Sequence, residues 1–440
     1  MYFLPLSSAS SLDKELGMLF YASTVEGIGG RIKWRLEDFV VEELAAPGRL
    51  LDPPLGGGYT LLLVEKKGID TFTAARRLAK ALKVPLNDVS YAGLKDANAV
   101  AVQRFSIKGM IPLSLETTPL TGLKILKVQP FHKPLAKKDL YGNRFTVTVR
   151  AIPLNPGEAL SKVRMVIYQL MKRKGFLNYY GYQRFGTKRP NTHIVGRYIV
   201  KGDFEAAVNE YLFHAYPEEG IIVRRARTAG DLRESLRLMP KGMVYERRML
   251  NYLIHHPNDY VGALRVLPKA LLRLIVEAYQ AYLFNKTLSY RVRAMRDYHL
   301  PMEGDYVVTE DRSFKVKDTS MVEKFSSMVE EGSACVAIPL PSYELRLQPP
   351  LPPFLEKVLK EEKVSLEDFK VEEFPYASLL SRPRKIVCKP EGFTIIEVDK
   401  DELNPPLTKL TLRFILERGT YATSLLRDIL KPIDPSSSGF

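Results

Sequence analysis

Residues Asn143 to Ile152 alternate in character without a break, with Phe145, Val147 and Val149 on one side and Thr146, Thr148 and Arg150 on the other. That is the period of a strand with one face buried and one face wet. Such a strand needs neighbours, and the pattern places them far apart in the chain. Upstream, Tyr59 to Glu65 is apolar and strand-like, and Val89 to Ala92 and Val100 to Ile107 read as two more strands. Downstream, alternation returns only at Gly392 to Val398 and Lys409 to Leu416. Helical patterns dominate the stretch between, from Asp203 to Phe213 and from Ala270 to Arg293. Pro349-Pro350-Leu351-Pro352-Pro353 punctuates it before the charged run Glu356 to Glu373. The chain therefore reads as a sheet-based domain interrupted by a mainly helical insertion, with no internal repeat.

Two helices flank these strands. One starts near Thr71, capped by Asp70 or Thr71, carries Phe72, Ala75, Leu78, Ala79 and Leu82 as its apolar stripe, and is stopped by Pro85. The other starts at Pro156 with Leu160, Val163, Ile167, Leu170 and Met171 on one side. It closes on Lys172-Arg173-Lys174, with Gly175 expected at the C′ position. The aromatic and planar polar run Phe176 to Gly186 leaves that rigid terminus, which favours a site there.

The net charge is +15, and its distribution says more than its size. Between Thr121 and Pro190 stand fifteen Lys and Arg against two acids, Asp139 and Glu158, a net +13. A concentration of this kind marks either a polyanion partner or a solvated basic face. The rings interleaved there, among them Tyr141, Phe145, Tyr179, Tyr180 and Tyr182, favour RNA, because unpaired bases stack on aromatic side chains. No apolar run reaches the roughly 18 residues of a spanning helix, so no membrane partner is expected. The opening MYFLPLSSASSLDKELG lacks a basic n-region, so a cytoplasmic protein is expected. Cys335 and Cys388 are far apart, no His/Cys cluster has zinc spacing, and no metal is expected.

Asp96 is the best carboxylate candidate on local grounds. It lies beside Lys95 in a turn begun by Gly93, between two strands, where a side chain can be presented to a cleft. Aspartate is also among the favoured turn residues, so a purely structural role stays open at this point.

The segment Tyr91-Ala-Gly-Leu-Lys-Asp-Ala-Asn-Ala-Val-Ala-Val-Gln103 closely resembles the catalytic signature of the TruD pseudouridine synthases, A-G-x-K-D-x-x-A-V-x-x-Q. Asn178-Tyr-Tyr-Gly-Tyr-Gln-Arg-Phe-Gly186 is similar to that family's N-Y-F-G-x-Q-R-F-G. Arg31 to Glu43 resembles its opening K-x-x-P-E-D-F-x-V-x-E, with Leu36 in place of the usual proline. Gly419 to Asp428 resembles its G-S-[FY]-A-T-x-x-x-R-E. Four motifs in the right order span residues 31 to 428, and the size of the insertion looks like that of archaeal and eukaryotic members.

The resemblance implies an α+β fold: a pseudouridine synthase core with a mostly antiparallel sheet, interrupted by a large, mainly helical TruD-type insertion domain. The core would be residues 1–188 and 385–440 and the insertion 189–384, with RNA held in the cleft between. The implied activity is isomerisation of uridine, at position 13 of tRNA or at another RNA uridine, without cofactor or metal. Asp96 would be the catalytic carboxylate, and Lys33 the cation beside it that keeps it ionised. Tyr180 would stack on the extruded uracil; Asn178 and Gln183 would hydrogen-bond the flipped nucleotide or the Asp96 loop. Arg184 would meet phosphate or Asp96, and Phe185 would be core. Arg427 and Tyr421 would complete the pocket or pack their helix. One rival is a non-catalytic RNA-binding protein on this scaffold, which predicts drift at Asp96 or Lys33. Another is a carboxylate-pair glycosidase, which needs a second motif-embedded acid. Neither rival accounts for four ordered motifs.

Overall fold

The computed structural model describes residues 6–48, 57–111, 120–186, 189–378 and 381–440. Contacts divide the chain into two compact units, one of Met1–Thr24, Lys172–Val387 and Phe440, the other of Val25–Met171 and Cys388–Gly439. By these contacts residues 6–24 and 172–186, grouped with the catalytic core on sequence grounds, fall in the first of these.

An eight-stranded sheet builds the second unit. Its strands are β1 (Phe39–Ala45), β2 (Tyr59–Lys67), β3 (Val89–Tyr91), β4 (Val100–Lys108), β5 (Leu123–Phe131), β6 (Leu140–Ile152), β7 (Glu391–Lys400) and β8 (Thr408–Glu417). They run in the order β7-β8-β6-β1-β4-β2-β5, and β3 pairs with β4. Only β1 and β4 are parallel among the described pairings; the other neighbours are antiparallel. β6 sits between β1 and β8, with Phe145 opposite both Val41 and Phe414. The alternation of the strand thus meets two partners remote in sequence, and Phe145, Val147 and Val149 are buried.

Helix α1 (Thr71–Leu82) is capped by Asp70, whose carboxylate accepts from the Thr73 amide, and it stops at a left-handed Lys83. Ala74, Ala75, Leu78 and Ala79 press it onto Leu62, Val64, Phe105 and Ile107. Phe72, expected in that stripe, is 52% exposed, because it lies off the face those four residues define. Helix α2 (Pro156–Lys172) buries Ala159, Val163, Val166 and Leu170, while Met171 is exposed. Its chain reversal uses a left-handed Lys174 (φ 65°) before Gly175 (φ 137°), so the left-handed turn begins one residue earlier than expected. Helix α3 (Ala422–Leu430) is buried along its whole length.

The first unit is organised around the helix Lys269–Ala294, which shares a core with Thr192–Val200, Phe204–Leu212, Val244–His255 and Pro353–Glu362. It also holds a four-stranded antiparallel sheet of Tyr306–Val308, Ser313–Lys315, Cys335–Pro339 and Pro383–Lys385. The sequence reading missed this sheet, since strands of three to five residues are too short to show a period. No helix among the described residues is long and apolar enough to cross a membrane.

Candidate active site

Asp96 stands in the connection between β3 and β4, which pair from Val89–Ile107 to Tyr91–Phe105. Lys33 Nζ donates to Asp96 Oδ2 at 3.3 Å. The carboxylate side chain is 49% exposed and that of the lysine only 12%, so the acid faces outward and the cation is held behind it. An oxygen that must reach a substrate atom needs this order of exposure.

The remainder of the signature fixes the loop that carries Asp96. Gln103, fully buried on β4, donates through Nε2 to the Gly93 carbonyl at 2.7 Å and accepts from Thr71 Oγ1 at 3.0 Å. Thr71, the first residue of α1, in turn accepts from the Lys95 amide at 2.9 Å. Lys95 turns inward, and its Nζ reaches Glu43 Oε1 at 2.7 Å with both side chains buried. Glu43 also takes the Arg104 amide at 2.9 Å. Lys66 donates to the carbonyls of Ile69 (2.6 Å), Asp96 (2.9 Å) and Lys95 (3.3 Å). Side chains from β1, β2, α1 and β4 thus tie the turn at Gly93, Lys95 and Asp96, and such a connected network rigidifies it.

The segment bearing Lys33 is anchored as firmly. Arg31 and Arg150 exchange backbone hydrogen bonds at 2.8 Å. Lys33 itself adopts φ 54°, a left-handed conformation costing on the order of 1–3 kcal/mol in a non-glycine residue. Its ammonium also lies 5.0 Å from the centroid of the Phe39 ring. Asp38 accepts from the Arg35 amide at 2.9 Å and so forms the turn at Leu36 without a proline. The same carboxylate receives Arg150 Nε at 3.0 and 2.9 Å, and Arg150 NH1 reaches Asp401 at 2.8 Å. The Ser-Ser-Ser-Gly tail docks here too: Ile32 donates to the Ser438 carbonyl at 3.0 Å. A Cβ on Gly439 would sit 2.0 Å from the Ile32 carbonyl oxygen, so only glycine lets the tail approach.

The second motif folds in the other unit and divides into anchors and presented residues. Tyr179, Tyr182 and Phe185 are buried. Tyr179 shares a hydrogen bond with Ser289 at 2.8 Å, and Tyr182 donates to Asp13 at 2.6 Å. Asn285 grips Tyr180 from both sides, accepting from its amide at 2.8 Å and donating to its carbonyl at 3.1 Å. The Tyr180 ring is half-buried, with the Arg384 guanidinium 3.9 Å from its centroid and that of Arg184 at 5.4 Å. Asn178 is buried, its amide donating to the Lys385 carbonyl and accepting from Arg384, both at 2.8 Å. Gln183 is exposed, and Arg184 pairs with Glu277 at 3.1 Å.

The tRNA pseudouridine synthase D (TruD) family matches this chain over residues 15–429. A relative from Methanosarcina acetivorans, named "Probable tRNA pseudouridine synthase D", is 35% identical over 437 residues, covering 96% of this chain and 97% of its own. One of the same name from Methanopyrus kandleri is 36% identical over 389 residues, 86% of this chain and 88% of its own. The chain belongs to the TruD family. A crystal structure of a tRNA pseudouridine synthase D from Methanosarcina mazei superposes with a TM-score of 0.78 at 32% identity, covering 96% of this chain and 98% of that one.

In this TruD chain Asp96 and Lys33 come together, and Asn178, Tyr180, Gln183 and Arg184 form a second group in the other unit. Arg427, on α3, is 2% exposed, and Tyr421, the N-cap of that helix, is half-buried. Among the described residues, no three His, Cys, Asp or Glu converge as metal ligands would. Lys66, Glu43 and Arg384 were missed from sequence. Glu43 lies inside the opening motif, which is a usable signal, whereas nothing local marks Lys66 or Arg384. Part of the basic segment is neutralised within the fold. Arg150 is consumed by a buried ion cluster and Lys133 by Asp139, while Lys124, Lys127, Lys137 and Lys138 are exposed on the sheet unit. Lys188 lies outside the described residues.

Proposed function

We propose that this chain isomerises uridine to pseudouridine in tRNA, with position 13 as its target, in the cytoplasm, and that Asp96 is its catalytic carboxylate. The observation that carries the reading is the outward Asp96 side chain, paired with Lys33 and mounted on a loop fastened by Gln103 of the same signature and by Thr71 and Lys66. The reaction breaks N1–C1′, turns the uracil and joins C5 to C1′. N1 gains a proton and C5 loses one, so no redox or energy input is required. A carboxylate serves it by attack at C1′, by addition at C6, or by taking the 2′ proton, and each route needs an oxygen accessible beside the ribose or the pyrimidine edge. Lys33 orients that oxygen. Tyr180, Gln183 and Arg184 are assigned to RNA, whereas Asn178 serves by holding Arg384. Arg427 and Tyr421 are assigned to the support of the pocket.

Tritium release from a C5-labelled, unmodified tRNA transcript tests this. The native chain should release tritium, and carbodiimide-based sequencing should place the product at position 13. Asp96→Asn should release none, yet bind the transcript within a few-fold of native, because affinity comes mainly from phosphate contacts. Substantial turnover by that variant would falsify the assignment.

A further inference from the structure

Beneath Asp96 lies a lysine that the proposed chemistry does not touch. Lys66 has no solvent exposure, although it stands between Glu65 and Lys67 at the charged end of β2. Its Nζ faces three backbone carbonyls, those of Ile69, Lys95 and Asp96. An ammonium has three N–H bonds and no lone pair, so the match of donors to acceptors is complete only in the charged form.

Resting on the reading that Asp96 turns over uridine, we propose that Lys66 is a positioning residue for that turnover. All three of its N–H bonds lock the backbone that carries the Asp96 carboxylate. Neutral Lys66 has two N–H bonds and a lone pair. One carbonyl must then go unbonded and face that lone pair, and the longest contact, to Lys95 at 3.3 Å, is the first to yield.

The lock is gated by pH. Burial drives the Lys66 pKa down to about 8, against the opposing pull of Asp96 and Asp70; Lys95 lowers it further and Glu43 raises it. Turnover should therefore fall as pH rises through about 8. Stability moves the other way. The folded pKa lies below the unfolded value, so between about 8 and 10.5 the unfolded chain binds more protons, and this group's contribution to stability rises with pH. Loss of rate by unfolding and loss of rate by unlocking thus have opposite signatures.

Single-turnover rates on a C5-tritiated tRNA transcript with uridine at position 13, from pH 6.5 to 9.5, should fall with a midpoint near 8 while the melting temperature does not. Lys66→Met, which keeps the stem and removes the donors, should slow the rate on the order of 10- to 100-fold at pH 7. It should leave transcript affinity within a few-fold and abolish the alkaline limb. A native profile flat to pH 9.5, a Met variant at native rate, or one that keeps the same limb overturns the proposal. If Lys66→Met fails to fold, the native rate and melting profiles decide alone. If the native chain releases no tritium, the functional reading has failed instead. The lock is then read from hydrogen exchange over residues 92–99 at pH 7, which should be faster in the variant and, if unchanged, refutes it.

Discussion

A tyrosine ring with a guanidinium on its face is a different stacking surface from a bare one. Arg384 is fixed over Tyr180 by donating to the Asn178 carbonyl at 3.0 Å and to the Asn178 side-chain oxygen at 2.8 Å. Such a cation–π contact is worth about 0.5–2 kcal/mol and holds the ring at one angle. The ring is what these guanidinium contacts hold. Tyr180→Phe should therefore keep most of the native single-turnover rate, and Tyr180→Ala should lose about 1–3 kcal/mol of base stacking. If the hydroxyl relays the C5 proton instead, Phe will be nearly as damaging as Ala. Equal, near-native rates for both would remove Tyr180 from the reaction. Arg384→Met should fall between them, because it frees the ring without removing it.

At the scale of elements, the sheet holds the site through a buried charge cluster. Asp38 closes the turn before β1, and Arg150 on β6 ties it to Asp401 beyond β7. Burial alone would lower the Arg150 pKa, but the bonds from Asp38 and Asp401 outweigh it and hold the guanidinium charged. Asp38→Asn leaves Arg150 short of one partner in a buried place and should cost about 3 kcal/mol. The expected readings are a lower denaturation midpoint and a reduced rate that Lys33→Met does not reduce much further, since both changes free the same carboxylate. Independent, multiplying losses would show that the cluster supports the fold but not the Lys33 arm. Resemblance to the family's motifs, not any local pattern, made Asp96 and Lys33 legible as a pair, and the period of Asn143–Ile152 made the central strand legible. Lys66 was not, because Glu65-Lys66-Lys67 reads as a solvated strand end. Which of two adjacent lysines is buried depends on β2 lying between β4 and β5, and no local pattern encodes that pairing. The inward turn of Lys95 beside the outward Asp96 is hidden for the same reason. It follows from Glu43 on a strand some fifty residues away.

At the scale of the whole molecule, the question is where the polyanion lands. The excess of the 121–190 segment is shared between both units, and part of it is neutralised internally. A second concentration lies in the first unit. Arg224, Arg225, Arg233, Lys241 and Arg248 are exposed on or beside the consecutive helices Ile221–Arg227, Leu232–Leu238 and Val244–His255. Exposed cations such as these are candidate partners for phosphate. Each phosphate neutralised adds about 0.7–0.9 to the slope of log affinity against log salt. Reversing Arg224, Arg225 and Arg233 together to Glu should weaken binding of a tRNA transcript and flatten that slope by about two to three in a filter titration from 50 to 300 mM salt. Reversing Lys124 and Lys127 on β5 should flatten it by about one to two. Neither change touches the Asp96 loop, so the single-turnover rate at saturating enzyme should stay native. An unchanged slope in one variant assigns that patch to solvent and leaves the RNA path to the other. A lowered saturating rate with unchanged affinity would mean that the patch acts on the chemistry rather than on the docking of RNA.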